Sequence, residues 1–141
     1  MTWPKVEEYS FKRRRPLKYH VGDEKMETLI VYASTVALDD DSRRLIHAGT
    51  ILAKITSGAG EGKYGPYSVT ASDGRESLTS YQAYVAFAGH DVTLGDKAVE
   101  GLFMDCVFDT SEIIDVNAID DTAGNRTALK TAFPQAHFDE G

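Results

Sequence analysis

The chain has 141 residues, enough for one hydrophobic core, and nothing in its length calls for a second domain. Its formal charge of −7 argues against a general nucleic-acid binder, which needs net positive surface. The charge is uneven: residues 1–20 hold six Lys or Arg against two Glu, a balance of +4, which leaves −11 for residues 21–141.

Met1 to Val21 has no helical or strand period. It contains Pro4 and Pro16, the basic run Lys12-Arg13-Arg14-Arg15, and the aromatics Trp3, Tyr9, Phe11 and Tyr19. Proline pushes its neighbours toward extended backbone, so residues 1–24 read as an arm, with a reach of at most about 65 Å for its first twenty residues. A solvated tail is usually poor in aromatics, so these side chains are expected to lie on the parent domain or a partner. From the residues alone, the basic run reads as a solvated charge cluster, a nucleic-acid arm, or a segment that docks on an acidic partner and adds a strand to its sheet. The third reading fits the acidic remainder of the chain best.

Residues 25–141 read as one β-rich domain. Thr28–Ala33 is a β-branched run and predicts a strand, followed by a loop over Ala37–Ser42. Gly49–Thr56 predicts a second strand, with Ile51, Ala53 and Ile55 facing the core and Leu52 and Lys54 on the opposite face. The glycines of Ser57–Gly62 turn the chain, and Lys63–Tyr67 returns as the other arm of a hairpin. Pro66 cannot donate to a ladder and places that arm at a sheet edge or a bend. Asp73-Gly74 marks a turn. Leu78–Ala88 and Lys97–Phe108 predict two further strands, with Gly101 marking a bulge or close packing in the second. Ser111–Val116 fits strand or loop. Asp120–Phe133, stopped by Pro134, predicts a helix, and Ala136–Phe138 a short last strand.

Signs of chemistry are weak. Gly58–Lys63 lacks the spacing and the following Ser or Thr of a phosphate loop. Asp39, Asp40 and Asp41 lack the ligand spacing of a calcium loop, and His20, His47, His90 and His137 are scattered singly, so no metal or cofactor is expected. Cys106 cannot form an internal disulfide and lies in an apolar run, the setting of a buried thiol. Pairings such as Ser72 with Asp73, or Cys106 with His90 and Asp105, can be drawn in any chain of this size, so an enzyme is not expected. No leader or membrane-spanning segment is read.

The stretches GTILAKIT (49–56), GKYGPY (62–67) and SDGRES (72–77) resemble the head decoration, or capsid cement, proteins of tailed bacteriophages, the family that includes the lambda decoration protein. The likeness continues through VTLGDKAVEGLFMDCVF (92–108) and ALKTAFPQAHF (128–138), the latter like the family's last helix, proline and terminal strand. It implies a β-rich homotrimer seated on the outer surface of the expanded head. Such a protein is made in the bacterial cytoplasm, clamps major capsid protein subunits, and has neither membrane nor nucleic acid as a partner. The likeness further implies that Trp3, Tyr9, Phe11, Lys12, Arg13, Arg14, Arg15 and Tyr19 form the capsid-contacting arm. The alternative is a small glycan-binding module of the virion using Tyr64, Tyr67, Tyr81 and Tyr84.

Overall fold

A computed structural model describes residues 16–19, 24–80, 82–114, 119 and 126–140. The strands are β1 (Leu17–Tyr19), β2 (Lys25–Val31), β3 (Leu45–Ile46), β4 (Ile51–Lys54), β5 (Tyr64–Pro66), β6 (Ala83–Ala86), β7 (His90–Asp91), β8 (Lys97–Met104), β9 (Val107–Asp109) and β10 (His137–Asp139). Helix α1 (Thr127–Ala132) lies between β9 and β10, and short 3-10 turns cover Ala33–Thr35 and Thr110–Glu112. The protein is mainly β with a C-terminal helix, as its β-branched runs and glycine turns predict.

Strands β2, β5, β4, β6 and β8 form a closed barrel in that order, β1, β9 and β10 form a three-stranded sheet centred on β9, and β3 pairs with β7. β2 runs antiparallel to β8 along its whole length, with Leu29 opposite Val99 and Ile30 opposite Ala98. Its contact with β5 is parallel and consists of one pair, Val31 with Tyr64. Pro66 pairs with Leu52 of β4 and has no partner on β2, so the missing N–H falls where the ladder has already ended.

Two cores explain the apolar patterning. One fills the barrel with Leu29, Val31, Leu52, Tyr84, Ala86 and Val99. The other lies between the outer barrel wall and the β1–β9–β10 layer, and gathers Ile51, Val85, Leu102, Cys106, Phe108, Leu129, Phe133 and Phe138. β6 therefore alternates between the cores, with Tyr84 and Ala86 inside the barrel and Ala83 and Val85 outside, and all four residues are buried. The same holds in β4, where Leu52 is completely buried in the barrel. The expectation that Leu52 shares an outward face with Lys54 is corrected: a second layer makes both faces of this strand apolar.

Other boundaries shift for local reasons. β2 begins at Lys25 and ends at Val31, because Ala33 enters a 3-10 turn. The strand expected over Leu78–Ala88 shortens to Ala83–Ala86, and Leu78 instead packs on the outer core from an irregular segment. The strand expected over Lys97–Phe108 is two strands, broken at Asp105, whose left-handed φ of 56° swings the chain from the barrel into the second sheet. Asp105 N–H then donates to the Gln135 carbonyl at 3.0 Å. Gly101 serves close packing, since a Cβ there would lie 2.7 Å from Tyr84 Cβ. Thr110–Glu112 is a 3-10 turn whose Asp109 carboxylate accepts from Ser111 N–H. Of the predicted helix, α1 is its last part, and residues 120–125 lie outside the described set. Buried Arg126, at the helix start, holds the C-terminal segment through Nε to Glu140 Oε1 at 2.8 Å and Nη2 to Oε2 at 3.1 Å.

Candidate functional site

Of the residues expected to form an interaction arm, Trp3, Tyr9, Phe11, Lys12, Arg13, Arg14 and Arg15 lie outside the described residues. The root of the arm is described. Buried Pro16 accepts a 2.7 Å hydrogen bond from Asp109 N–H, and Leu17 packs against the outer core opposite Phe108. Tyr19 stands opposite Val107, with a register slip between it and Leu17. β1 is thus an edge strand, antiparallel to β9, and the chain preceding Pro16 leaves from a fixed point beside Asp109. Within residues 1–24, Leu17–Tyr19 join the body's own sheet.

Elsewhere, residues with chemical potential hold structure. Lys63, which ends the glycine turn, is paired with Asp96 and lies 5.2 Å from the Tyr32 ring centroid. Asp96 also accepts from Ala33 N–H at 2.9 Å, so one carboxylate joins the turns after β2, before β5 and before β8. A strand, β5, follows this lysine where a phosphate loop would have a helix. The Lys63 hydrogen bond and the Ala33 N–H hold the Asp96 carboxyl below the usual carboxylate range. This stabilisation is present at neutral pH and is lost as pH falls through the depressed folded value. Asp96→Ala is expected to lower the melting temperature at pH 7, with the gap to the native chain narrowing as pH is taken to about 3. A gap unchanged across that range, followed by thermal melts, would show that the carboxylate's charge is not what joins the three turns.

The Asp39–Asp41 loop closes on itself. Asp39 Oδ1 accepts from Asp41 and Arg43 N–H, both at 2.9 Å, and Arg43 pairs with Asp39 and Asp41. Asp73 is engaged by Arg75 Nε at 3.0 Å, and Arg75 also donates to the Pro66 carbonyl. Among the described residues no group of three His, Cys, Asp or Glu is placed to hold a metal ion. Cys106 is buried and donates to the Met104 carbonyl at 3.2 Å, while burial and then Glu24 push its thiol up to about 11, the opposite of what a nucleophile needs.

The tyrosines considered for sugar stacking are mostly committed to packing. Tyr84 lies edge-on to Tyr64 and to Phe103, each at 5.4 Å, and its hydroxyl donates to Glu27 at 2.6 Å. Tyr67 packs on the outer core, and Tyr81 lies outside the described residues. Burial, followed by the Glu27 hydrogen bond, raises the pKa of the Tyr84 hydroxyl above the ordinary tyrosine value.

A further exposed surface is only partly visible in the sequence. Met26 and Ile30 are 46% and 44% exposed and, with Thr28, occupy alternate positions of β2. Their alternation predicts a shared face, but only the strand pairing reveals that the first residues of β2 have a single ladder neighbour, β8, among the described residues. No helix of the described chain is long and apolar enough to cross a membrane. No protein-family model, curated protein or solved structure matches the chain.

Proposed function

We propose that the chain is a structural decoration protein of a tailed-bacteriophage head, bound as a trimer to the outside of the expanded shell and clamping adjacent major capsid protein subunits. Its work is association. The observation that carries the reading is the anchored root at Pro16–Tyr19, taken together with the stretches of sequence that resemble the cement proteins. Residues 1–15, of charge +3 and rich in aromatics, issue from a fixed point on a body, residues 16–141, of charge −10. A fixed origin raises the effective concentration of the segment at a neighbouring surface once the body is seated, so modest contacts sum. Internal pressure that separates shell subunits is opposed by a symmetric binder touching several of them at once.

The experiment is cosedimentation with expanded, undecorated shells, together with the temperature at which filled shells release DNA. The deletion should remove residues 2–15 and spare Pro16–Tyr19, because a cut through residue 20 would also strip β1 from β9. The full chain is expected to bind saturably and raise the release temperature, and the deletion to lose most of both effects. Equal binding by the two would place the contact on the body, and absence of binding by either would overturn the proposal.

A further inference from the structure

Asp73-Gly74 is the only pair in the sequence in which glycine follows Asp or Asn. Such a pair carries a chemical liability, because a residue without a side chain leaves its amide nitrogen free to approach the carboxyl before it. The Gly74 nitrogen bonds to Asp73 Cγ, its proton and the acid hydroxyl leave together as water, and a cyclic imide results. Water then reopens the ring. Where it breaks the bond between the nitrogen and the backbone carbonyl carbon, the chain continues through the former side chain as isoaspartate. Nothing is oxidised or reduced, and the product has the mass of the starting chain. The carboxyl must be neutral, since an ionised one has no hydroxyl to lose, and the nitrogen must give up its proton and reach Cγ.

Both conditions are opposed at this turn. Arg75 Nε donates to the two Asp73 carboxylate oxygens at 3.1 and 3.0 Å, and Arg75 N–H donates to Oδ1 at 3.2 Å. Arg75 is itself fixed by an Nη1 bond of 3.1 Å to the Pro66 carbonyl, and its side chain is only 16% exposed. Burial opposes ionisation of Asp73, but the Arg75 bonds outweigh it and hold the carboxyl below the usual range. Gly74 N–H donates to Glu76 Oε2 at 2.9 Å, and an anion in that place disfavours loss of the proton. The Asp73 side chain is still 29% exposed, so solvent reaches it and burial alone does not protect the pair.

We infer that Asp73-Gly74 is a latent site of conversion to isoaspartate, and that Arg75 and Glu76 guard it. The stake is structural. The Asp73 carbonyl accepts from Thr56 N–H at 2.7 Å and from Ser57 N–H at 3.2 Å, which ties the turn to the chain leaving β4. Isoaspartate inserts a methylene into the main chain at that point and displaces the carbonyl from both donors. Gly74 lies so close to Thr56 that even a Cβ would overlap it, so the lengthened chain has no room on that side. On the capsid reading the chain is not renewed after assembly, so a slow lesion accumulates, but the inference does not rest on that reading.

The test incubates the full chain at neutral pH for weeks, digests it, and measures isoaspartate at residue 73 from the chromatographic separation of the two isomeric peptides. A synthetic peptide of residues 70–79 gives the unguarded rate. The native chain is expected to convert many-fold more slowly than the peptide, and Arg75→Ala several-fold faster than the native chain. Arg75→Lys, which keeps a cation beside the carboxylate, should fall between those two, and Glu76→Ala should also convert faster than the native chain. Leu78→Ala is the control for mere loosening, since Leu78 packs on the outer core from the same segment and is not part of the guard. Conversion of the native chain at the peptide's rate, or of Leu78→Ala as fast as Arg75→Ala, overturns the inference. So does an Arg75→Lys rate equal to that of Arg75→Ala, which would leave the charge of Arg75 without a part. None of these readouts involves shell binding, so either proposal can fail without the other.

Discussion

Replacing Phe108 by alanine is expected to cost about 4 kcal/mol, the middle of the usual range for deleting a buried phenyl ring. Phe108 is completely buried in the central strand of the second sheet. Its register partners are Leu17 on one side and Phe138 on the other. Its ring stacks on Phe138 at 5.4 Å and meets Phe133 edge-on at 5.8 Å. These neighbours belong to β1, β10 and the cap of α1, so the cavity left by alanine would be lined by three different elements. They cannot all close on it without breaking the pairing that fixes them. For a domain of this size the loss corresponds to a fall in melting temperature of about 15 °C. The same substitution at Phe87, which is 38% exposed, removes a ring that is only partly packed and should cost far less. Denaturant melts of the two variants provide the measurement. Similar losses at both positions would mean that the second layer is not a packed core.

Loss of the Phe108 ring reaches function through β1. The strand that anchors the basic segment is held by Leu17 against this cluster and by the Asp109–Pro16 hydrogen bond. A variant loosened at Phe108 should release that root before the barrel melts, because the barrel has its own core at Leu52, Tyr84 and Val99. Proteolysis at neutral pH would then cut near Pro16 while the barrel fragment survives.

Much of the fold is legible in the sequence because local chemistry agrees with it. Turns at Asp73-Gly74 and Gly95-Asp96 follow from residues that tolerate left-handed backbone, and Gly74 and Gly95 do have φ of 110° and 146°. Pro134 ends α1, and Cys106 is buried as its apolar surroundings predict. The assignment of faces is what sequence pattern gets wrong. Alternation identifies a core only when the other face is wet, and both faces of β4 are largely buried, so Leu52 reads as an outward residue although it is buried in the barrel. The break after Met104 is invisible because Asp105 is neither Gly nor Pro, and its φ of 56° is set by the tertiary crossing. That the first residues of β2 pair only with β8 among the described residues belongs to the same class. A sequence of alternating Met26, Thr28 and Ile30 predicts a strand and one of its faces, but the number of neighbours a strand has is a property of the whole sheet.

Gly49→Ala is expected to destabilise the protein by about 3 kcal/mol, through two effects that can be separated. Gly49 stands where the loop before β4 crosses the segment after β9. Its N–H donates to the Ala86 carbonyl at 2.8 Å, and its carbonyl accepts from Ile114 N–H at 3.0 Å. Its φ is 89°, a conformation that costs an L-residue roughly 1 kcal/mol or more. A Cβ would also lie 2.2 Å from the Glu112 carbonyl oxygen. That oxygen belongs to backbone, so no rotamer change relieves the overlap, and the 3-10 turn must move away from β4 at a cost of about 1–3 kcal/mol. Gly58 and Gly62 provide the comparison, with φ of 87° and 86° and open space of at least 4 Å around the point a Cβ would occupy. Alanine at either site incurs only the conformational term, about 1 kcal/mol. The difference between Gly49→Ala and Gly62→Ala in denaturant melts therefore isolates the crossing. If it is near zero, the Thr110–Glu112 turn yields without resistance, and the two layers are joined by the aromatic cluster rather than by this backbone contact.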